Sequence, residues 1–424
     1  MHLLPATAAV LLSVLSTAAA GPPSFAEFDA RARAGERLDV VFFGASLTWG
    51  ANASDQSLTS YRARVAEKLE AAYPQAHFRC YDAAIGGTGS TLGVFRLARD
   101  VLRRQPDLVF LDFSANDDIY SAAPEPSASY ESLVRRLILE CHCPVVQVIF
   151  PFGWNVKSRA ELAEMKRRDI HLGISHAYHT AVGDAIALAL DRLEQGTVTI
   201  DQIWPYDLVH PGDVGYQLFA DAAWAGFETG VKERLVCRVP EKMIYADTYM
   251  TWSRARLSSL GPLPDGWRVD HPSLTASYHD AQMTRWLDDV VEAANRRKTK
   301  SADGKTVSEP QAVQRFRFRV TAARLMLFGE STPASGKIRL YVDGKRATHV
   351  PWGQKAALDY YDLLSKTGGN THFESQPCLE LDPAVEHTIE IEPVFAPDQD
   401  QHIRCESVCV AGGAAKVVPA LQSK

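Results

Sequence analysis

From residue 39 onward the chain repeats one pattern, a short run of consecutive apolar residues followed by a longer segment whose apolar positions recur every three or four residues. The runs 39–43, 78–81, 108–113 and 145–150 predict strands buried on both faces. Between them, 60–72 sets Val65, Leu69 and Ala72 on one stripe, and 91–103 and 129–140 behave alike, so three amphipathic helices are predicted over the strands. A further helix is predicted over 213–229, with Asp213 as its N-cap after Pro211-Gly212. Alternation of this kind builds a parallel sheet covered by helices on both sides. Beyond about Cys237 the period shortens to two. Strands are predicted over 316–320, 324–328, 337–342, 348–350, 388–391 and 407–410, with Asp343-Gly344 as a hairpin turn. The expected organisation is an α/β domain over 36–235 and a jelly-roll-like β-sandwich over 240–415. Residues 281–297 predict a helix, and the charged stretch 296–308 a flexible loop.

A length of 424 residues exceeds what one hydrophobic core serves, which agrees with two packed units. Hydrophobic residues at 46% and charged residues at 23% exclude a disordered chain. The net charge of −6, with no Lys/Arg stripe interleaved with aromatics, excludes a nucleic-acid partner. Residues 1–20 contain no Lys, Arg, Asp or Glu, are mostly apolar over 8–15, and end in Thr17-Ala18-Ala19-Ala20. That predicts a signal peptide cleaved after Ala20 and a secreted or periplasmic protein. No later stretch reaches the ~20 apolar residues of a membrane span. Seven cysteines leave an odd thiol, and Cys405 and Cys409 are one candidate pair. Cys141-His142-Cys143 offers metal-binding residue types but no second close pair to complete a zinc site.

Four loops carry candidate chemistry. The first strand empties into Gly44-Ala45-Ser46-Leu47, which presents a serine where ligands sit in an open parallel sheet, at the carboxyl ends of its strands. The second strand is followed by Gly86-Gly87 and the third by Ser114-Ala115-Asn116-Asp117. Glycine amides and an asparagine side chain are the neutral donors that a tetrahedral oxyanion needs. The fourth loop, before the last helix, holds Asp207 and His210. A serine hydroxyl becomes a nucleophile when an imidazole removes its proton, and the imidazole needs a carboxylate to orient it.

The order Ser46, Gly87, Asn116, His210, with an aspartate three residues before the histidine, resembles the SGNH hydrolases, also called the GDSL-type esterase/lipase family. The resemblance covers residues 36 to about 232. It implies a three-layer α/β/α, flavodoxin-like parallel sheet. It also implies Ser46 as nucleophile, His210 as general base, Asp207 as orienting acid, and an oxyanion hole from Ser46, Gly87 and Asn116. No metal or other cofactor is implied. Two positions depart from the family pattern: Ala45 replaces the name-giving aspartate, and Ser114-Ala115 stands where a glycine usually precedes Asn-Asp. A neutral imidazole base predicts activity that falls below roughly pH 6 to 7.

For the substrate, export and an appended β-sandwich resemble carbohydrate esterases that remove acetyl groups from polysaccharides. Trp49, Gly86 and Trp154 are candidate substrate contacts, and Trp352, Tyr360 and Tyr361 have the rings to stack on sugars. An acylated small molecule or polysaccharide is the expected partner. The competing readings are a broad lipase or thioesterase and, in another class, a glycan-binding protein with an inert hydrolase domain. Asn52-Ala53-Ser54 matches a glycosylation acceptor, but a glycan six residues from Ser46 would crowd the entrance, and the match is read as chance.

Overall fold

The computed structural model of the chain describes residues 21–420 apart from 273–287, 302, 352–353, 367 and 374–376. Five strands, β1 (Arg37–Gly44), β2 (His77–Ala84), β3 (Leu108–Leu111), β4 (Val145–Ile149) and β5 (Ala181–Asp184), form a parallel sheet in the order β2-β1-β3-β4-β5. Interior strands are buried along their length, whereas edge strand β2 is buried only at its carboxyl end. The helices among the described residues are α1 (Phe25–Arg33), α2 (Ser46–Trp49), α3 (Tyr61–Ala72), α4 (Ser90–Asp100), α5 (Pro124–Arg136), α6 (Lys166–Tyr178), α7 (Ala185–Glu194), α8 (Ile200–Ile203) and α9 (Asp213–Lys232). α4, α5 and α6 pack together, as do α1, α3 and α7 with α9, giving the expected three layers. In this strand order the chain reverses its winding between β1 and β3, and the crevice at such a switch point is where open α/β sheets bind ligands.

The four short runs became strands as predicted, but β2, which contains Arg79, is an edge strand and is not buried on both faces. β5 escaped notice because four residues of mixed burial carry no periodicity. Asp213 is not the N-cap of α9. Gly212 holds that place, and the Asp213 carboxylate instead accepts the Ser54 N–H (2.9 Å) and hydroxyl (2.6 Å).

The second half is antiparallel. It comprises β6 (Trp252–Arg256), β7 (Trp267–Asp270), β8 (Val290–Ala294), β9 (Arg296–Lys300), β10 (Thr306–Pro310), β11 (Phe316–Thr321), β12 (Arg324–Ser331), β13 (Lys337–Val342), β14 (Lys345–Arg346), β15 (Tyr361–Asp362), β16 (Thr371–His372), β17 (Cys378–Glu380), β18 (His387–Val394), β19 (His402–Ala411) and β20 (Lys416–Pro419). Among the described residues one sheet runs β14-β13-β18-β11-β20 with β15 at its side, and the other runs β16-β12-β19-β8-β7 with β17 and β6. Their facing apolar residues, among them Phe318, Leu327, Ile338, Ile389 and Val408, form a second core. Asp343 (φ 51°) and Gly344 (φ 76°) make the predicted two-residue turn, both with positive φ as a primed hairpin turn requires.

Three expectations fail here. Of the predicted helix over 281–297, residues 281–287 lie outside the described residues, and 290–297 form β8 and the start of β9. The expected loop over 296–308 is an antiparallel β9–β10 hairpin, in which backbone pairing overrides polar composition. Residues 348–350 are no strand and make one isolated bridge, His349 to Leu358.

Cys405 and Cys409 are both free. A β-bulge opposite Phe328 and Gly329 separates them, so Cys405 faces the sandwich core and Cys409 the opposite side. Four residues along a strand also span about 13 Å, beyond a disulfide's reach. That opposite side matters for the molecule: Met326, Phe328, Cys409 and Ala411 are buried in the same apolar core as the parallel-sheet domain, together with Tyr249. Arg136 of α5 lies 4.7 Å above the Trp252 ring, and Phe95 of α4 meets Tyr249 edge-on at 6.2 Å. The sandwich is therefore docked against α4 and α5.

Candidate active site

Ser46 opens α2 and is buried, immediately after β1 has delivered the chain to the sheet's carboxyl edge. It is the first helical residue, with Ala45 as N-cap, so its hydroxyl is not used to cap the helix. The turn needs glycine at position 44, because a Cβ there would lie 2.2 Å from Thr48 Oγ1 and 2.6 Å from the Asp112 carbonyl. With Ala45 in place of an acid, the neighbouring strand supplies the carboxylate. Asp112 accepts the Thr48 hydroxyl at 2.9 Å and the Ala45 N–H. Burial pushes the Asp112 carboxyl up to about 7, against the opposing pull of the Thr48 hydrogen bond.

His210 arrives from 164 positions away and sets its Nε2 3.0 Å from Ser46 Oγ, both side chains being buried. Asp207 lies beside it with a different geometry from a simple chain of three. Its Oδ1 is 3.8 Å from His210 Nδ1, too far for a hydrogen bond, and accepts instead the backbone N–H groups of Val209 and His210, each at 2.7 Å. Its Oδ2 accepts the Asn52 side-chain amide at 2.8 Å. Burial raises the Asp207 carboxyl, but the His210 N–H, the Asn52 amide and the Val209 N–H outweigh it and leave the group below its ordinary value. Asp207 thus stays a carboxylate and places negative charge near the imidazole.

Asn52 is the residue that the sequence did not reveal. Its left-handed backbone (φ 68°) suits asparagine, and its amide also reaches the His210 carbonyl at 3.4 Å. Its place six residues after Ser46 is the signal the sequence carries for it. The same loop is tied on both sides of Asn52 to α9, through Tyr216 Oη on the Ala51 carbonyl (2.6 Å) and Asp213 on Ser54. The Ser46 and His210 loops are therefore held as one unit.

Gly87 has φ 69° and is exposed, and Gly86 is buried. Their loop is fixed at its ends. Ile85 donates to the Gly44 carbonyl at 3.2 Å, and Ser90 N–H donates to Asp117 Oδ1 at 2.9 Å. Asp117, raised to about 6 by burial against the Ser90 hydrogen bonds, thus ties the β2 loop to the β3 loop that carries Asn116. Asn116 is half-buried. Ser114 bonds the Phe150 backbone through its hydroxyl (2.8 Å from N), so it staples β3 to β4. Trp49 closes α2, half-buried. Trp154 is exposed and meets the Phe152 ring at a tilt, centroids 4.8 Å apart, and its neighbour Gly153 donates to the Leu208 carbonyl at 2.6 Å, so its loop borders the Asp207–His210 loop. Tyr206 and Leu208, which flank Asp207 in the chain, are both exposed. Of the three aromatics considered for sugar stacking, Trp352 lies outside the described residues, Tyr361 is buried with its hydroxyl on the Cys378 carbonyl, and Tyr360 carries the Lys337 ammonium 4.2 Å above its ring. Among the described residues no three His, Cys, Asp or Glu side chains group as metal ligands.

The arrangement sets a serine at the switch point with an imidazole on its oxygen, and the glycine and asparagine loops follow the neighbouring strands. Residues 42–218 match the model of the GDSL-like lipase/acylhydrolase family, so the chain carries a carboxylic ester hydrolase domain of that type. No curated protein matches the chain in sequence. Its whole length resembles crystal structures of a two-domain esterase active on acetylated mannans. One aligns at TM-score 0.68, and one co-crystallised with mannopentaose at 0.67; each is 21% identical and covers 92% of this chain and 95% of the other. That likeness establishes the two-domain fold. Axe2, an acetylxylan esterase from Geobacillus stearothermophilus, covers 45% of the chain at 21% identity and TM-score 0.38, with 94% of Axe2 aligned.

Proposed function

We propose that the protein is an exported serine esterase that removes O-acetyl groups from carbohydrate. The observation that carries the mechanism is His210 Nε2 at 3.0 Å from Ser46 Oγ inside the GDSL-type domain. In this reading Ser46 attacks the ester carbonyl while His210 takes its proton. The tetrahedral oxyanion is received by the N–H groups of Ser46 and Gly87 and the Asn116 amide. His210 returns the proton to the leaving sugar hydroxyl, and water then releases acetate by the same steps in reverse order of roles. Asp207 supports the imidazolium by its charge. Acetylated carbohydrate as substrate is supported by the two-domain neighbours, described as active on acetylated mannans, and by the exposed side chains of Trp154, Tyr206 and Leu208 on the bordering loops. Export rests on the apolar leader of residues 1–20, and N-terminal sequencing of the mature protein should begin at Gly21.

The test compares the full chain with Ser46→Ala on 4-nitrophenyl acetate, 4-nitrophenyl octanoate and acetylated mannan. The expected result is preference for acetate, acetate release from the polysaccharide, and loss of at least about a thousandfold in kcat on substitution. Turnover that survives in Ser46→Ala, or a preference for octanoate, would reject it.

A further inference from the structure

The β-sandwich reaches into the candidate oxyanion loop. His372, on β16 and buried, donates from Nε2 to the carbonyl of Gly86, 286 positions earlier in the chain. A carbonyl oxygen only accepts, so the proton sits on the imidazole. The ring also stands against Gly87, where a Cβ would meet its Cε1 and Nε2 at 3.5 Å. It is well held. Its Nδ1 faces the Phe373 carbonyl at 2.9 Å, so donation to both carbonyls at once takes the doubly protonated ring; Thr371 and His372 pair in register with Ser331 and Glu330 of β12, and the ring packs 6.1 Å from that of Phe328. Phe328 itself belongs to the core shared with the parallel-sheet domain, so the histidine is anchored to the domain it contacts.

The consequence follows from peptide geometry. The C=O of Gly86 and the N–H of Gly87 belong to one planar trans unit and point in opposite directions. Two consecutive glycines leave that plane the least hindered of any to rotate, since the torsions on either side of it lack Cβ contacts. The parallel-sheet domain pins the loop at Ile85 and Ser90, and the Thr88 hydroxyl closes it on the Ile85 carbonyl at 2.8 Å, all outside the atoms of this peptide. The tie on the Gly86 oxygen comes from the sandwich.

We infer that His372 is a positioning residue for the oxyanion hole: by holding the Gly86 carbonyl, the β-sandwich sets the direction in which Gly87 presents its N–H. The inference rests on the esterase reading above. It makes the second domain part of the catalytic apparatus, and it predicts a defect in kcat and not in substrate affinity, because the oxyanion exists only in the transition state.

The experiment uses the full chain with His372→Gln, His372→Asn and His372→Phe, each checked by thermal unfolding. Glutamine carries an amide to the place of Nε2, asparagine only to the place of Nδ1, and phenylalanine keeps a ring without a donor. On 4-nitrophenyl acetate, His372→Phe and His372→Asn should lose about 10- to 100-fold in kcat with KM within about twofold, less than outright removal of an oxyanion donor. His372→Gln should stay within about fivefold of the parent. The rate of labelling by an organophosphonate, in which Ser46 displaces the leaving group at phosphorus and the phosphoryl oxygen takes the place of the oxyanion, should fall in step with kcat. Comparable kcat in all three variants, a loss confined to KM, or glutamine faring no better than asparagine would overturn the inference. If phenylalanine does not fold, the glutamine and asparagine pair decides alone. A parent chain inactive on every acetyl ester would instead remove the esterase reading.

Discussion

Asn52→Gly separates what the Asn52 amide does from what its backbone does, because glycine adopts φ 68° without strain and removes only the side chain. The lost contacts are the 2.8 Å hydrogen bond to Asp207 Oδ2 and the longer 3.4 Å one to the His210 carbonyl; Oδ1 keeps its two backbone donors. A hydrogen bond to a charged group contributes about 1.5–3 kcal/mol when shielded. Asp207 is 39% exposed, so water takes over part of the role and about 1 kcal/mol is the working figure, a roughly fivefold fall in kcat/KM. Asn52→Asp goes further by setting a second carboxylate against the first. Like charge raises the Asp207 carboxyl instead of holding it low, so the carboxylate beside His210 protonates at a higher pH. That variant should lose at least a further tenfold or so at pH 7 and recover little below it. The assay is kcat/KM for 4-nitrophenyl acetate from pH 5 to 9. Asn52→Gly indistinguishable from the parent, or Asn52→Asp no worse than Asn52→Gly, would refute the coupling between Asn52 and the acid.

Two further outcomes follow from the turn beneath Ser46. Asp112 ionises near 7 when folded against about 3.9 unfolded, so between those values the folded chain holds a proton that the unfolded chain has released. Stability should therefore decline as pH rises through that window, by at most about 1.4 kcal/mol per unit. Asp112→Asn should flatten the dependence of Tm on pH, and an unchanged slope would count against the assignment. Gly44→Ala should lower Tm by roughly 2–10 °C and depress kcat, because its methyl must displace Thr48 and the Asp112 backbone. A variant with parental Tm and kcat would show that the turn has room to spare.

The parallel-sheet half was legible because the buried strands are mostly apolar over four or five residues, and the covering helices repeat at their own period. The antiparallel half was only partly so. β9 and β10 are charged and polar, and what makes them strands is pairing with each other, a contact that local composition does not encode. β19 is buried at nine positions in a row because it lies between two cores, and its bulge sends Cys405 and Cys409 opposite ways.

The candidate site divides along the same line. Ser46, Asp207 and His210 could be named in advance because each sits in a short motif at the end of a predicted element, where an open parallel sheet gathers its ligands whatever the details of packing. Sequence order also put Gly87 and Asn116 on the loops that follow β2 and β3. Only the folded chain decided the rest: that Asn52 bonds Asp207, that Asp112 holds the turn where Ala45 stands, and that His372 closes on Gly86. Those are contacts between residues tens to hundreds of positions apart. Each partner alone is an ordinary polar residue, and its meaning comes from the neighbour that packing brings within hydrogen-bond distance.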